Sequence, residues 1–188
     1  MNLGNEPLSV NHAELELLVL EAQQGSKKAY ARLYERLNQP LLHFAYGICQ
    51  DHALAQDAVQ EAWVKMAKQV RRLKFAGAFR AWMYTRVRWQ LLDALRRRGT
   101  QVDAGDVAEG QVEAIAQLED CLDVRASLKR LPVIERQIIQ LFYLDELSVA
   151  ELAVVLDIPT GTVKSRLARA RARLKQKFEP QTPQRSCK

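Results

Sequence analysis

Cysteine, histidine, glycine and proline are all sparse in these 188 residues, at 3, 3, 8 and 6 copies. Cys49, Cys121 and Cys187 stand far apart with no paired spacing and few histidines nearby, so neither a disulfide framework nor a zinc site is indicated, and a reducing compartment fits. No run approaches the roughly eighteen apolar residues that span a bilayer, and the opening MNLGNEPLSVNHAELELL has no basic stretch ahead of an apolar one. The expectation is a cytoplasmic protein with no membrane insertion. Alternating strand patterns are missing as well, and the apolar period is 3.6 nearly everywhere, so the chain reads as all-α. Helices are expected near 12–24, 27–37, 40–50, 53–72, 77–98, 120–130, 132–144, 148–156 and 160–177.

Charge is unevenly placed. The net charge is only +6, but residues 1–98 hold 15 Lys/Arg against 9 Asp/Glu, residues 99–123 hold none against 7, and residues 124–188 hold 13 against 6. Two basic segments on either side of an acidic one point to a polyanionic partner. The acidic stretch GTQVDAGDVAEGQVEAIAQLED carries three glycines and is mostly aperiodic. It reads as a linker extended by self-repulsion, and its acids either keep it solvated or let it stand in a groove meant for nucleic acid.

The strongest local signal is SVAELAVVLDIPTGTVKSRLARARARLKQK at 148–177. Ser148 is placed to cap a helix with Glu151 completing a capping box, and Leu152, Val155 and Leu156 supply that helix's buried side. Pro159 breaks the chain, and Thr160 is placed to cap a second helix. In that helix Val163, Leu167, Ala170 and Leu174 form an apolar stripe and leave Thr162, Lys164, Ser165, Arg166, Arg169 and Arg173 outward. From Thr160 to Lys177 there are seven basic residues and no acidic one. A capped helix, a sharp turn and a basic amphipathic helix form the pattern of a helix-turn-helix, whose partner is duplex DNA.

The first half carries a second constellation. In ALAQDAVQEAWVKMAKQV, 53–70, small residues Ala55, Ala58, Val59 and Ala62 form a face that a neighbouring helix can approach closely, while Asp57, Gln60, Glu61 and Val64 lie around the other side. Asp57 and Glu61 lack converging histidines or further acids, so no metal is expected there. In FRAWMYTRVRWQLLDALRRR, Phe79, Met83, Val87, Leu91 and Ala94 make a core line. Arg80, Tyr84, Arg86, Arg88, Trp89, Arg96, Arg97 and Arg98 interleave aromatic faces with cations, a mixture suited to unpaired bases. For Trp82 and Trp89 the competing expectation is burial in the core, the usual state of an isolated Trp in a helix. The short turn Lys74-Phe75-Ala76-Gly77-Ala78 ahead of this helix is flexible enough to close around a displaced base.

From about Tyr30 to Lys177 the order of these segments resembles bacterial sigma factors of the sigma-70 family, in the small two-domain extracytoplasmic-function (ECF) group. The resemblance rests on AQDAVQEAW (55–63), FRAWMYTRV (79–87), LLDALRRR (91–98), LPVIERQIIQL (131–141) and LSVAELAVVLDIPTGTVKSRLARARARL (147–174). It implies two small helical domains, region two at 12–98 and region four at 124–178, joined by the acidic linker 99–123. It implies a dissociable RNA polymerase subunit without cofactor or catalytic chemistry. Asp57, Gln60, Glu61 and Val64 would dock on the beta-prime clamp helices. Lys74, Phe75, Arg80, Tyr84, Arg88, Trp89, Arg96 and Arg97 would recognise and melt the minus-10 element. Thr160, Thr162, Lys164, Ser165, Arg166, Arg169 and Arg173 would read the minus-35 element, with the same domain resting on the beta flap. An anti-sigma factor is a further family-level expectation. One departure stands out: many relatives carry Asn where this chain has Trp89. A stand-alone helix-turn-helix dimer, or an enzyme with an accessory reading domain, are the alternatives the residues alone leave open. The former lacks a reason for the basic-aromatic helix, and the latter lacks a visible nucleophile or carboxylate cluster.

Overall fold

The structure is a computed structural model that describes residues 12–99, 128 and 131–178. The acidic linker beyond Gly99, most of the helix expected at 120–130, and the tail after Phe178 lie outside them. The first module holds α1 (His12–Gln23), α2 (Lys27–Cys49), α3 (His52–Gln69) and α4 (Phe79–Arg97), with two 3₁₀ turns at Val70–Arg72 and Ala76–Ala78 before α4. The second holds α5 (Val133–Ile139), a π-helical turn at Gln140–Leu144, α6 (Val149–Leu156) and α7 (Thr160–Phe178).

Side-chain chemistry sets the starts of α2 and α3. Ser26 Oγ accepts the amide of Ala29 at 3.2 Å, and Asp51 Oδ1 accepts that of Leu54 at 3.0 Å, each satisfying one orphan donor at a helix start. That bond, with Arg98 2.9 Å from Oδ2, holds the Asp51 carboxyl below its ordinary pKa. Gln50 closes α2 in the left-handed conformation, its N–H returning to the Tyr46 carbonyl. The two separate helices expected at 27–37 and 40–50 are one helix. Pro40 removes an N–H inside α2, yet Leu33, Leu37, Leu41 and Phe44 are all buried on its inner face. Burying each such side chain is worth about 1.5–3 kcal/mol, enough together to carry the helix through a residue that costs it about 3.

In α4, Phe79, Met83, Val87 and Leu91 are fully buried as the core line requires, with Leu95 continuing it and Ala94 only partly covered. In the second module Leu152, Val155 and Leu156 of α6 pack against Val163, Leu167 and Ala170 of α7, all buried. The capping box is present in full: Glu151 N–H donates to Ser148 Oγ at 3.2 Å, and Ser148 N–H donates to Glu151 Oε2 at 2.8 Å. Asp157 ends α6 at φ 56°, and α7 already includes Thr160, with the Pro159 carbonyl accepting Val163 N–H at 3.0 Å.

The two modules share one continuous core, with α4 lying on α6 and α2 touching α5. Their contact overturns the outward placement expected for two residues of α4. Arg80 and Tyr84 are 3% and 1% exposed. Arg80 Nη2 donates to the Asp145 carbonyl at 2.7 Å, and the Tyr84 hydroxyl hydrogen-bonds the Asp145 side chain. The π-helical turn delivers Asp145, so the second module covers the face of α4 on which these residues and Arg88 recur every four positions.

Candidate nucleic-acid and polymerase interfaces

On α3, small residues Ala55, Ala58 and Ala62 face inward and are buried, while Asp57, Gln60, Glu61 and Val64 lie exposed on the outer side as expected. Lys65 binds Glu61 at 2.8 Å and, as the largest cause, holds its carboxyl below the ordinary value. Beside this face stands an aromatic pair that sequence reasoning passed over. Tyr34 of α2 and Trp63 of α3 have ring centroids 5.2 Å apart, and Trp63 Nε1 donates to Asn38 Oδ1 at 3.2 Å. Tyr34 and Trp63 are far apart in sequence and meet only when the two helices are placed together. The result is an exposed apolar centre ringed by polar groups, the anatomy of a docking patch.

Between α3 and α4 the 3₁₀ turns and α4 enclose a cleft of about 240 Å³ lined by Gln69, Val70, Arg72, Leu73, Phe79 and Trp82. Phe79 and Trp82 stack at 6.2 Å, and the Arg86 guanidinium lies 5.3 Å from the Trp82 ring while donating to Gln69 Oε1 at 2.9 Å. Lys74 and Phe75 sit exposed at its rim, Phe75 at 74%. Trp89 is 52% exposed and outside the core, which separates it from the buried line of α4. Arg96 is exposed beside it, and Arg97 is ion-paired to Asp93. Arg88 is half-buried toward the second module, and loss of solvent lowers its pKa against the opposing pull of Asp157. The expected minus-10 set thus splits: Lys74, Phe75, Trp89, Arg96 and Arg97 lie open, whereas Arg80, Tyr84 and Arg88 turn toward the second module. Gln69, Arg72, Leu73 and Trp82 line the cleft and were outside that expected set; the cations Arg71 and Arg72 just ahead of Lys74 were the one local signal, and it reaches only part of the lining.

On α7 the outward face carries Lys164, Ser165 and Arg169 exposed, with Thr162 and Arg166 partly so and Thr160 at its start. Lys164, Arg166 and Arg169 form no ion pair with the described residues. Arg173 differs from them. Its guanidinium binds Glu135 Oε2 of α5 at 2.7 Å, and the Glu135 side chain is only 6% exposed. Arg171 is likewise turned back, over the Phe142 and Tyr143 rings at 5.6 and 5.4 Å, with Nε donating to Tyr143 Oη at 2.6 Å. The basic helix therefore has a free N-terminal half and a C-terminal half tied to its own module.

Among the described residues no cluster of three or more His, Cys, Asp or Glu is placed to hold a metal, and no helix is long and apolar enough to cross a membrane. Residues 33–101 match the family model for sigma-70 region 2, and residues 121–174 match that for sigma-70, region 4. The chain is 31% identical over 163 residues to the ECF RNA polymerase sigma factor SigM of Mycobacterium tuberculosis, covering 86% of this chain and 83% of that protein. It belongs to the ECF group of the sigma-70 family. The ECF RNA polymerase sigma-E factor of Escherichia coli is 28% identical over 181 residues, covering 88% of this sigma factor and 94% of that one. Its fold is similar to CnrH, solved in complex with the cytosolic domain of CnrY, at a TM-score of 0.58 and 22% identity over 86% of this chain and 95% of that one. It is also similar to RpoE of Bartonella quintana, solved with the anti-sigma factor NepR, at 0.54 and 21% over 90% and 96%. As a sigma factor it is a regulatory initiation factor of RNA polymerase, built from two DNA-facing helical modules.

Proposed function

We propose that this sigma factor binds core RNA polymerase through the outer face of α3 and directs initiation by two separate DNA contacts. Asp57, Gln60, Glu61 and Val64, with Tyr34 and Trp63 beside them, meet the beta-prime clamp helices. The cleft at Gln69 to Trp82, with Lys74 and Phe75 at its rim and Trp89 and Arg96 alongside, captures a base from the melted minus-10 strand. Thr160 to Arg169 of α7 read duplex DNA at minus-35 while the second module rests on the beta flap. The observation that carries this reading is the pairing of an aromatic, cation-rimmed cleft on one module with a free basic recognition helix on the other. A cleft of that kind favours an unstacked base over a paired one, since each base–aromatic stack is worth about 1–3 kcal/mol, comparable to the cost of unstacking a few steps. Contacts available only to the melted strand lower the free energy of the open complex, which is how a protein without covalent chemistry drives melting.

The boundaries 12–98, 99–123 and 124–178 belong to the same reading, as does the acidic linker's passage toward the active centre and RNA exit path. In the docked arrangement Arg80 and Tyr84 are covered and Arg88 is half-covered, so full minus-10 contact by these three follows separation of the modules. Two similar structures hold an anti-sigma protein or the cytosolic domain of a partner, and control by an anti-sigma factor is part of this proposal. The test is transcription by core polymerase plus the purified chain on a library of randomised promoter fragments, with the 5′ ends sequenced. The expected result is a set of start sites sharing two upstream elements; transcripts no different from those of core alone sink the reading.

A further inference from the structure

The region 2 match begins at residue 33, after α1. Yet α1 is anchored where the cleft is built. The side-chain amide of Gln23, at its last turn, donates to the Val70 carbonyl at 2.9 Å and to the Leu73 carbonyl at 2.7 Å. The Val70 carbonyl opens the first 3₁₀ turn and the Leu73 carbonyl follows its end, and both residues line the cleft. Two N–H donors on one nitrogen meet two acceptors, so the amide's donor capacity is fully used. The contact continues along the helix. Glu16 lies against the second 3₁₀ turn, where a Cβ at Gly77 would come 2.7 Å from Glu16 Oε1. Tyr30, at the start of α2, donates from its hydroxyl to the Ala67 carbonyl at 3.2 Å.

We propose that α1 is the support of the minus-10 loop, and that Gln23 is a positioning residue which sets the loop's shape for base capture. This rests on the base-capture reading above and deepens it. A segment of two single-turn 3₁₀ helices has few internal bonds to define it, and Lys74 and Phe75 between the turns point into solvent. Without an outside fastening such a loop samples many conformations, and each must be narrowed when a base enters. Fastening it in advance removes that ordering cost from the open complex. Gln is suited to the position because the partners are both acceptors. Glu has nearly the same shape but offers only acceptors when ionised, so a carboxylate there would face two carbonyl oxygens.

Gln23→Glu and Gln23→Ala decide the matter, each in the full chain and as holoenzyme with core polymerase. The DNA probe is a promoter fragment recovered from the library experiment, made with each of the four bases at every non-template minus-10 position. Gln23→Ala is expected to reduce the preference for the favoured captured base roughly fivefold, as the loss of two weak hydrogen bonds implies, and Gln23→Glu roughly tenfold or more, because its carboxylate also faces the two carbonyl oxygens. Affinity for core polymerase and for a minus-35 duplex stays at the wild-type value. Hydrogen exchange in the free chain should speed up at residues 70–78 and remain unchanged in α2 and α7. Wild-type base preference in Gln23→Glu, or equal losses at minus-35, at core binding and at minus-10, overturns the assignment. A wild-type holoenzyme indifferent to base identity across minus-10 overturns base capture itself, and the positioning role with it.

Discussion

Two arginines on one helix, Arg169 and Arg173, show how much a residue's role depends on its neighbour. By sequence both belong to the same outward basic face. Among the described residues Arg169 is exposed without an ion-pair partner, while Arg173 pairs with the buried Glu135 of α5. Arg173→Ala would strand that carboxylate. The ion pair is half open to solvent on the arginine side, so screening reduces its worth, and the expected cost is about 1 kcal/mol, or about 2–4 °C in Tm. Arg169→Ala should change stability by less than about 0.5 kcal/mol but lower the salt dependence of minus-35 binding by roughly one unit of slope. Thermal unfolding together with salt titrations of holoenzyme binding separates the two; the reverse pattern would reassign both residues. Arg173 could not be told from Arg169 beforehand, because Glu135 is 38 residues away and only the fold brings it near.

Elements were legible where their determinants are local. Ser148 and Glu151 lie within one turn of each other and the apolar residues from Leu152 to Ala170 follow them directly in sequence, and the helix-turn-helix formed as read. The capping box satisfies two donors at the start of α6, on which α7 leans. Ser148→Ala should therefore cost about 1 kcal/mol and, by loosening α6, weaken minus-35 binding severalfold with little change in minus-10 capture. Unchanged Tm and unchanged duplex affinity would show the cap to be dispensable. Helix α2 was less legible for the opposite reason. Pro40 is a local stop signal, and it is overruled by the burial of Leu33, Leu37, Leu41 and Phe44 against three other helices. The loop before α4 shows the same limit: its shape depends on Gln23, 47 and 50 residues upstream of the carbonyls it binds.

The arrangement of the two modules was the part hidden from sequence, since nothing in α4 announces Asp145, 65 residues beyond Arg80. Their junction includes an incompletely satisfied polar contact: Arg80 Nη1 and Asp145 Oδ2 are buried with no hydrogen-bond partner among the described residues. Burial raises the pKa of Asp145 to about 7, against the opposing effects of the Tyr84 hydroxyl, the Arg80 guanidinium and the Gln140 side chain. Tyr84 is itself pushed well up, chiefly by burial and then by Asp145, so it remains a donor. If the modules part, the Asp145 carboxyl returns toward its ordinary value of 3.8. The docked form thus holds the proton more tightly than the open form. Docking is at full strength below about pH 4, weakens as the pH rises between that value and about 7 by up to about tenfold per unit, and is flat above. Small-angle scattering of the full chain should show a larger radius of gyration at pH 8 than at pH 5.5. Asp145→Asn, which cannot ionise, should stay compact at both. Since the docked face covers Arg80, Tyr84 and Arg88, the same variant should also bind a melted minus-10 strand more weakly at pH 8 if separation precedes capture. Equal affinity in the variant and the wild type, despite a compact variant, would mean that the open side of α4, with the cleft and Trp89, is sufficient for the strand.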